Sequence, residues 1–155
     1  MRVKPWLVAA GLWRDEYVGD RHAWFFAVLE LLRPRAKRLG DFAKQGALFF
    51  GDAIDYDDAA VDKHLRAPGI DAHLEAIDTA LATLETFDAA STEAALRAIA
   101  DARGVKAGVL IHAVRVALTG KTVSPGLFDV IALLGRPRVH ARLSSARRLL
   151  LTSRS

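Results

Sequence analysis

The chain has 155 residues, of which 52% are hydrophobic and 26% charged, so it is long and apolar enough to bury a core. It contains no cysteine, which excludes disulfides, thiolate zinc sites and cysteine nucleophiles. The net charge of +4 is unevenly distributed, with +4 in residues 1–50, −8 in residues 51–100 and +8 in residues 101–155. A basic end of this kind favours a polyanionic partner such as a nucleic acid, although a solvated basic helix carries the same charge.

No apolar run approaches the roughly 20 residues that a membrane-spanning helix requires. The N-terminal stretch MRVKPWLVAAGLWRDEY lacks the long apolar segment and the cleavage site of a signal peptide. The sequence therefore predicts a soluble, cytoplasmic protein without a membrane segment, and the absence of cysteine agrees with that compartment.

Hydrophobic residues recur with helical spacing along the whole chain, which predicts an all-α fold. A short helix is predicted to begin at Pro5 and to end near Gly11. Asp20 is the predicted N-cap of a longer helix that breaks at Pro34. Two helical segments follow, over 35–39 and 42–50.

The next segment is rich in aspartate but lacks the pattern of a calcium loop. Four aspartates lie between residues 52 and 58, without the Asp-x-Asp-x-Asp-Gly order and the distal glutamate of an EF-hand, so no metal site is predicted. Asp57 or Asp58 is instead the predicted N-cap of a helix that ends at Leu65. Pro68-Gly69 marks a turn where the sign of the charge begins to change. We therefore predict two small helical subdomains, residues 1–66 and 67–155.

Five further helices are predicted in the second subdomain, over 70–87, 91–103, 108–119, 125–134 and 137–151. Gly104 and Gly120 are predicted to end two of them in the left-handed conformation. Ser124 is the predicted N-cap of the helix that begins at Pro125.

The motifs of an autonomous enzyme are absent. The five histidines, at positions 22, 64, 73, 112 and 140, form neither a His-x-x-x-His nor a His-Glu-x-x-His pair. There is no Gly-x-Ser-x-Gly nucleophile motif and no glycine-rich phosphate loop. We therefore predict no catalytic residue, no metal ligand and no cofactor for this chain. A small enzyme whose pocket is assembled from distant residues is the least favoured alternative.

The helix over 108–119 is apolar around most of its circumference, except for one polar stripe. His112, Arg115 and Thr119 form that stripe, at positions i, i+3 and i+7. Because burying an unpaired guanidinium costs several kcal/mol, the stripe is expected to face water, a polar partner or a ligand.

The turn that follows this helix is a candidate site for single-stranded nucleic acid. The start of the next helix offers unpaired N–H groups, and Gly126 leaves the backbone uncovered by a side chain. Pro125 and Leu127 are predicted to be apolar edges on which an unstacked base rests, while Arg115 reads the edge of a base. An ordinary helix start beside a solvated stripe is the structural alternative.

Four basic residues around and after this turn are candidates for phosphate contacts. They are Lys121, Arg136, Arg138 and Arg142. The same residues are equally consistent with a simple exposed basic face.

Three stretches carry a resemblance to a known family. VRVALTGKTVSPGLFDVIALLGRPRVHARL (residues 114–143) closely resembles the C-terminal end of bacterial glutamyl-tRNA synthetases, whose pattern is R-V-A-L-T-G, a short turn, P-G-L-F, an apolar helix and L-L-G. VKPWLVAAGL (residues 3–12) and LLRPRAKRLGDFAKQGALFF (residues 31–50) are similar to the entry and the helix pair of the same region. The resemblance runs over nearly the whole chain.

The resemblance implies an all-α anticodon-binding region of two helical subdomains that reads the unstacked glutamate anticodon of a tRNA. The residues that it places against the anticodon are Arg115, Ser124, Pro125, Gly126 and Leu127. It also implies that Arg35 reads the last anticodon base and separates glutamate from glutamine tRNA.

The catalytic signatures of class I synthetases, of the His-Ile-Gly-His and Lys-Met-Ser-Lys-Ser types, are absent. The expectation is therefore a tRNA-binding module for translation that does not aminoacylate by itself. It would be part of a glutamate–tRNA ligase if a catalytic domain, which would bind ATP and magnesium, acts with it in cis or in trans. The alternative is a freestanding helical domain that binds a protein partner instead of tRNA.

Overall fold

The computed structural model describes residues 2–51 and 54–152. These residues form helices and turns without any strand, which confirms the all-α fold class. Their contacts divide the chain into two compact units, Met1–Ala53 and Ile54–Ser155. None of the helices described is both long and apolar enough to cross a bilayer.

The first unit is built around an aromatic core. Its elements are α1 (Lys4–Ala9), a 3-10 turn (Asp15–Val18), α2 (His22–Leu32) and α3 (Leu39–Phe50). The rings of Tyr17 and Phe25 stack with their centroids 4.9 Å apart, and Phe50 packs against each of them at 5.5 Å. All three side chains are at most 1% exposed, so burial of apolar area stabilises this unit.

Helix α2 begins without the predicted side-chain cap. Its N-cap is Arg21, and Asp20 lies one residue before it, so the predicted role of Asp20 is wrong. The preceding turn already satisfies the backbone, because the His22 N–H donates to Gly19 O at 3.1 Å. The predicted break at Pro34 is confirmed, since α2 ends at Leu32 and proline has no N–H with which to extend the helix.

The second unit is a multihelical bundle in which α7 is central. Its elements are α4 (Asp58–Ala60), a π-helical turn (Val61–Leu65), α5 (Ile70–Ala82), α6 (Ala89–Arg103), α7 (Ala107–Thr119), α8 (Leu127–Leu134) and α9 (Arg136–Thr152). Helix α7 packs against α5, α6, α9 and the π-helical turn. Leu110, Val114 and Leu118 of α7 are fully buried, as the almost wholly apolar sequence of this helix predicts.

The end of α5 and the start of α6 differ from prediction. Helix α5 ends at Ala82 rather than at residue 87, because the chain turns at Thr83, whose hydroxyl donates back to Ala80 O. Helix α6 begins at Ala89, before the predicted start at Ser91. Its N-cap is Asp88, whose carboxylate accepts the Ser91 N–H at 2.7 Å. That hydrogen bond also lowers the pKa of Asp88.

The division of the chain into two units falls between residues 53 and 54, earlier in the sequence than the predicted subdomain boundary at 66 and 67. Val61 and Leu65 are buried in the second unit, where the π-helical turn packs against α7. Asp57 occupies the N-cap position of α4, as predicted, although its side chain makes no capping hydrogen bond. The division into subdomains at 66 and 67 stays a prediction.

Candidate nucleic-acid interface

The end of α7 is closed by a left-handed glycine and a threonine hydroxyl. Gly120 has a φ of +77°, and its N–H donates to Val116 O at 2.7 Å, which confirms the predicted glycine cap. The Thr119 hydroxyl donates to Arg115 O at 2.7 Å and accepts the Lys121 N–H at 3.1 Å. Thr119 is only 6% exposed, so it shapes the turn and is not a solvent-facing member of the polar stripe.

The residues before α4 pack along this turn. The Tyr56 hydroxyl donates to Ala117 O at 3.1 Å, and the Asp57 N–H donates to Gly120 O at 2.9 Å. A Cβ atom on Gly120 would lie 2.4 Å from Asp55 O, so this close approach requires glycine. The turn after α7 is therefore fixed by a segment that is far from it in sequence.

Arg142 of α9 completes the closure of this helix end from inside the fold. Its side chain is 5% exposed, and Nη1 donates to Leu118 O at 3.0 Å. This burial corrects the expectation that Arg142 lies on an exposed phosphate-binding face. Burial also raises the pKa of the neighbouring Tyr56, and the charge of Arg142 acts in the opposite direction. The Tyr56 hydroxyl thus remains a donor at neutral pH.

Arg115 and Ser124, both predicted site residues, are brought together across the turn. Arg115 Nε donates to Ser124 Oγ at 3.0 Å, and the Ser124 hydroxyl donates to Pro125 O at 2.7 Å. Both side chains are half-buried. Ser124 therefore orients the guanidinium through a neutral hydroxyl.

Helix α8 starts two residues later than predicted. Its N-cap is Gly126, and no side chain makes the capping hydrogen bond, so the predictions of Ser124 as N-cap and Pro125 as first helical residue are wrong. The Ser124 oxygen instead accepts the N–H of Arg115 Nε, while its hydroxyl donates to Pro125 O, so the side chain is engaged away from the helix N–H groups. Asp129 folds back instead, with its Oδ2 3.1 Å from where a Cβ on Gly126 would be.

The side chains of Pro125 and Leu127 do not form open apolar edges, which corrects that expectation. Both residues are buried, and Leu127 is 2% exposed because it packs in the core as the first residue of α8. Gly126 between them is exposed. The backbone of this turn, rather than its apolar side chains, is thus the surface open to a ligand.

The remaining predicted site residues differ in their contacts and in their exposure. Arg136 donates to the carbonyls of Ala82 and Leu84 and lies 5.3 Å from the ring centroid of Phe87, so it stabilises the end of α5. Lys121 has an exposed side chain beside Gly120, and Arg138 is half-buried on α9. Arg35 is exposed in the other unit, between α2 and α3, where Gln45 Nε2 donates to its carbonyl oxygen at 3.1 Å.

Within the second unit, acidic residues of α5 pair with basic residues of α9. Arg147 Nε donates to Asp71 at 2.8 Å and Nη2 lies 3.3 Å from Glu75, which raises the pKa of Arg147. His140 Nδ1 lies 2.9 Å from a carboxylate oxygen of Asp78. The basic helix α9 therefore faces the acidic helix α5, a pairing that no local sequence pattern reveals.

Two histidines outside the predicted site also come together. The rings of His64 and His112 stack with centroids 5.0 Å apart and planes inclined by 25°. Within residues 2–51 and 54–152, no three His, Asp or Glu side chains are grouped so that they could hold a metal ion. Asp52 of the predicted aspartate cluster lies outside the described residues.

The chain is similar to part of larger known proteins. The glutamate–tRNA ligase of Moorella thermoacetica is 38% identical over 144 residues, which cover 93% of this chain and 29% of that protein. Glutamate–tRNA ligase 1 of Syntrophus aciditrophicus is 44% identical over 119 residues, covering 76% of this chain and 25% of that protein. The chain thus spans less than a third of the length of these relatives.

A solved structure and a family model also match this chain. The crystal structure of a glutamate tRNA ligase from Elizabethkingia meningosepticum matches with a TM-score of 0.82 at 20% identity, over 96% of this chain and 28% of that one. This match confirms the predicted type of helical fold. A family model described as an anticodon binding domain matches residues 1–147. The chain therefore belongs to the anticodon-binding domain family.

Proposed function

We propose that this chain is the anticodon-binding part of a glutamate–tRNA ligase and that it binds the anticodon loop of glutamate tRNA. The observation that carries the proposal is the Arg115–Ser124 contact at the turn between α7 and α8, within a chain of the anticodon-binding family. In this proposal, glutamate activation with ATP and magnesium belongs to a catalytic part that acts in cis or in trans. We propose that this chain acts in the cytoplasm, where translation uses the charged tRNA.

The geometry of the turn supports recognition of a base rather than of a phosphate. Arg115 is oriented by a hydroxyl, and a guanidinium carries a planar fork of donors that suits the acceptors on a base edge. The Asp129 carboxylate lies beside Gly126 at the start of α8, where it would repel a phosphate. A neutral unpaired base, splayed out of the anticodon loop, fits this electrostatic environment better.

We propose Lys121, whose side chain is exposed, and Arg138, which is half-buried, for contacts with phosphates of the same loop. Arg136 and Arg142 are not proposed for these contacts, because they donate to carbonyl groups within the fold. Arg35 is proposed to read the last anticodon base from the first unit. Three carboxylates of the acidic segment 51–100, those of Asp71, Glu75 and Asp78, pair with residues of α9 and are therefore less available to a protein partner, the alternative to tRNA.

The proposal is tested by measuring the affinity of the chain for glutamate tRNA and for tRNAs with other anticodons, over a series of salt concentrations. We expect a preference for the glutamate anticodon and a steep decrease of affinity with salt. Arg115→Ala should weaken binding of the cognate tRNA by about 1–3 kcal/mol and reduce the preference. Arg97→Ala, which removes an exposed arginine paired with Glu93 on α6, is the matched control.

Equal binding of all anticodons by the wild-type chain would disprove the proposal. If Arg115→Ala weakens every tRNA equally, Arg115 contacts a phosphate and not a base. Arg35→Gln separately tests the first unit. It should reduce the discrimination between glutamate and glutamine tRNA, while Arg33→Gln, two positions earlier, should leave it unchanged.

A further inference from the structure

The stacked histidines described above lie at an unusual point of the backbone. His64 belongs to the π-helical turn Val61–Leu65, which packs against α7. π-helical turns are rare and occur frequently at functional sites. This turn places the ring of His64 against the ring of His112 on α7, at 5.0 Å between centroids.

One member of the histidine pair, His112, lies on the same face of α7 as Arg115 of the proposed anticodon site. His112 precedes Arg115 by three residues on α7, so the two side chains project from neighbouring turns of one face, about 4.5 Å apart along the helix axis. His112 is exposed and His64 is half-buried, so the outer ring of the pair is the accessible one.

The inner ring of the pair, that of His64, is neutral, and the pair lies beside a positive charge. Partial burial, with smaller contributions from His112 and Lys63, lowers the pKa of His64, so this ring is uncharged at neutral pH. Lys63 is exposed beside it. Asp62, the nearby acid, already forms an ion pair with Arg66 at 2.9 Å.

We infer that the stacked rings of His64 and His112 form a platform for an unpaired base of the anticodon loop, next to the bases read at the Arg115–Ser124 turn. The inference rests on the proposed function and extends its site by one nucleotide. Histidine is among the aromatic side chains on which splayed-out RNA bases stack. The His64 ring stacks against the His112 ring and so holds this outer ring in one orientation. A base can then stack on His112 without base-specific hydrogen bonds.

The experiment measures binding of the glutamate anticodon stem-loop, with 2-aminopurine placed in turn at the loop positions that flank the anticodon. His112→Ala should weaken binding about fivefold or more. His112→Phe should restore it, because a ring is present again, whereas His112→Lys, which supplies charge without a ring, should not. The fluorescence of one flanking 2-aminopurine should be quenched by the wild type and by His112→Phe, and not by His112→Ala.

The controls separate this inference from the proposed function. His140→Ala removes another exposed histidine, on α9, and should bind the stem-loop like the wild type. Anticodon preference without any effect of His112→Ala would overturn the inference alone. Rescue by His112→Lys but not by His112→Phe would also overturn it, because the contact would then be electrostatic. A wild-type chain without anticodon preference would overturn both proposals.

Discussion

The turn between α7 and α8 and the helix α9 are both rich in positive charge, but the fold uses their arginines differently. Arg115 at the turn meets a serine hydroxyl, whereas Arg136 and Arg142 of α9 donate to backbone carbonyls and Arg147 to carboxylates. The net charge of a segment therefore does not identify a nucleic-acid surface. Carbonyl and carboxylate partners within the fold use donors of Arg136, Arg142 and Arg147 that a phosphate would need, so these three arginines contribute to the charge of the segment without forming an open phosphate site.

The first test of this comparison concerns the scaffold of the turn, where we expect the largest effect. Gly120→Ala should lower the free energy of unfolding by about 3 kcal/mol, because it combines a positive φ with a Cβ atom 2.4 Å from Asp55 O. Urea denaturation measures the change. Gly104→Ala is the matched control, since its φ of +67° is similar but its Cβ would meet open space. The control should cost only about 1 kcal/mol.

If the two glycine variants lose the same stability, the contact between Asp55 and Gly120 contributes nothing, and the segment before α4 does not hold the turn. A larger loss in Gly120→Ala would establish that the turn depends on this contact. The difference between the variants isolates steric exclusion from backbone strain, because both glycines end a helix in the same left-handed conformation.

The second test compares the two arginines directly. Arg142→Met should destabilise the fold by about 2 kcal/mol, because it leaves the buried Leu118 carbonyl without this donor. Arg115→Met should cost less than Arg142→Met, because Arg115 is half-buried whereas Arg142 is only 5% exposed. Thermal or urea unfolding of both variants checks this order. Equal losses would mean that Arg115 is as structural as Arg142, and the contrast between the turn and α9 would disappear.

The features that were predictable from sequence depend on neighbours along the chain. The glycine caps at 104 and 120 and the break at Pro34 follow from local backbone chemistry, and they are confirmed. The resemblance pointed to the segment 114–143, where the structure brings Arg115 and Ser124 together. The errors at Asp20 and Ser124 arise from competing hydrogen bonds. Gly19 O already accepts the His22 N–H, and the Ser124 oxygen accepts from the Arg115 side chain.

The features that could not be predicted involve contacts between distant residues. Three hydrogen bonds join residues that are far apart in sequence. They link Tyr56 to Ala117 (61 positions apart), Arg136 to Ala82 (54 positions) and Arg147 to Asp71 (76 positions). Helical periodicity identifies the buried face of each helix but not which helix it meets. For that reason the sequence could not separate the arginines that the fold binds internally from those at its surface.

A smaller effect than that of Arg142→Met is expected when the Tyr56 hydroxyl, which contacts the same turn, is removed. Tyr56→Phe should cost about 1 kcal/mol at pH 7, the usual net contribution of one hydrogen bond, here that to Ala117 O. Because burial raises the pKa of Tyr56 in the folded state, folding favours the protonated form. The resulting stability is complete below the unfolded pKa of about 10 and is lost as pH rises through the folded pKa. Urea midpoints measured from pH 7 upward should therefore fall more steeply for the wild type than for Tyr56→Phe, and parallel curves would show that this phenol does not hold the turn.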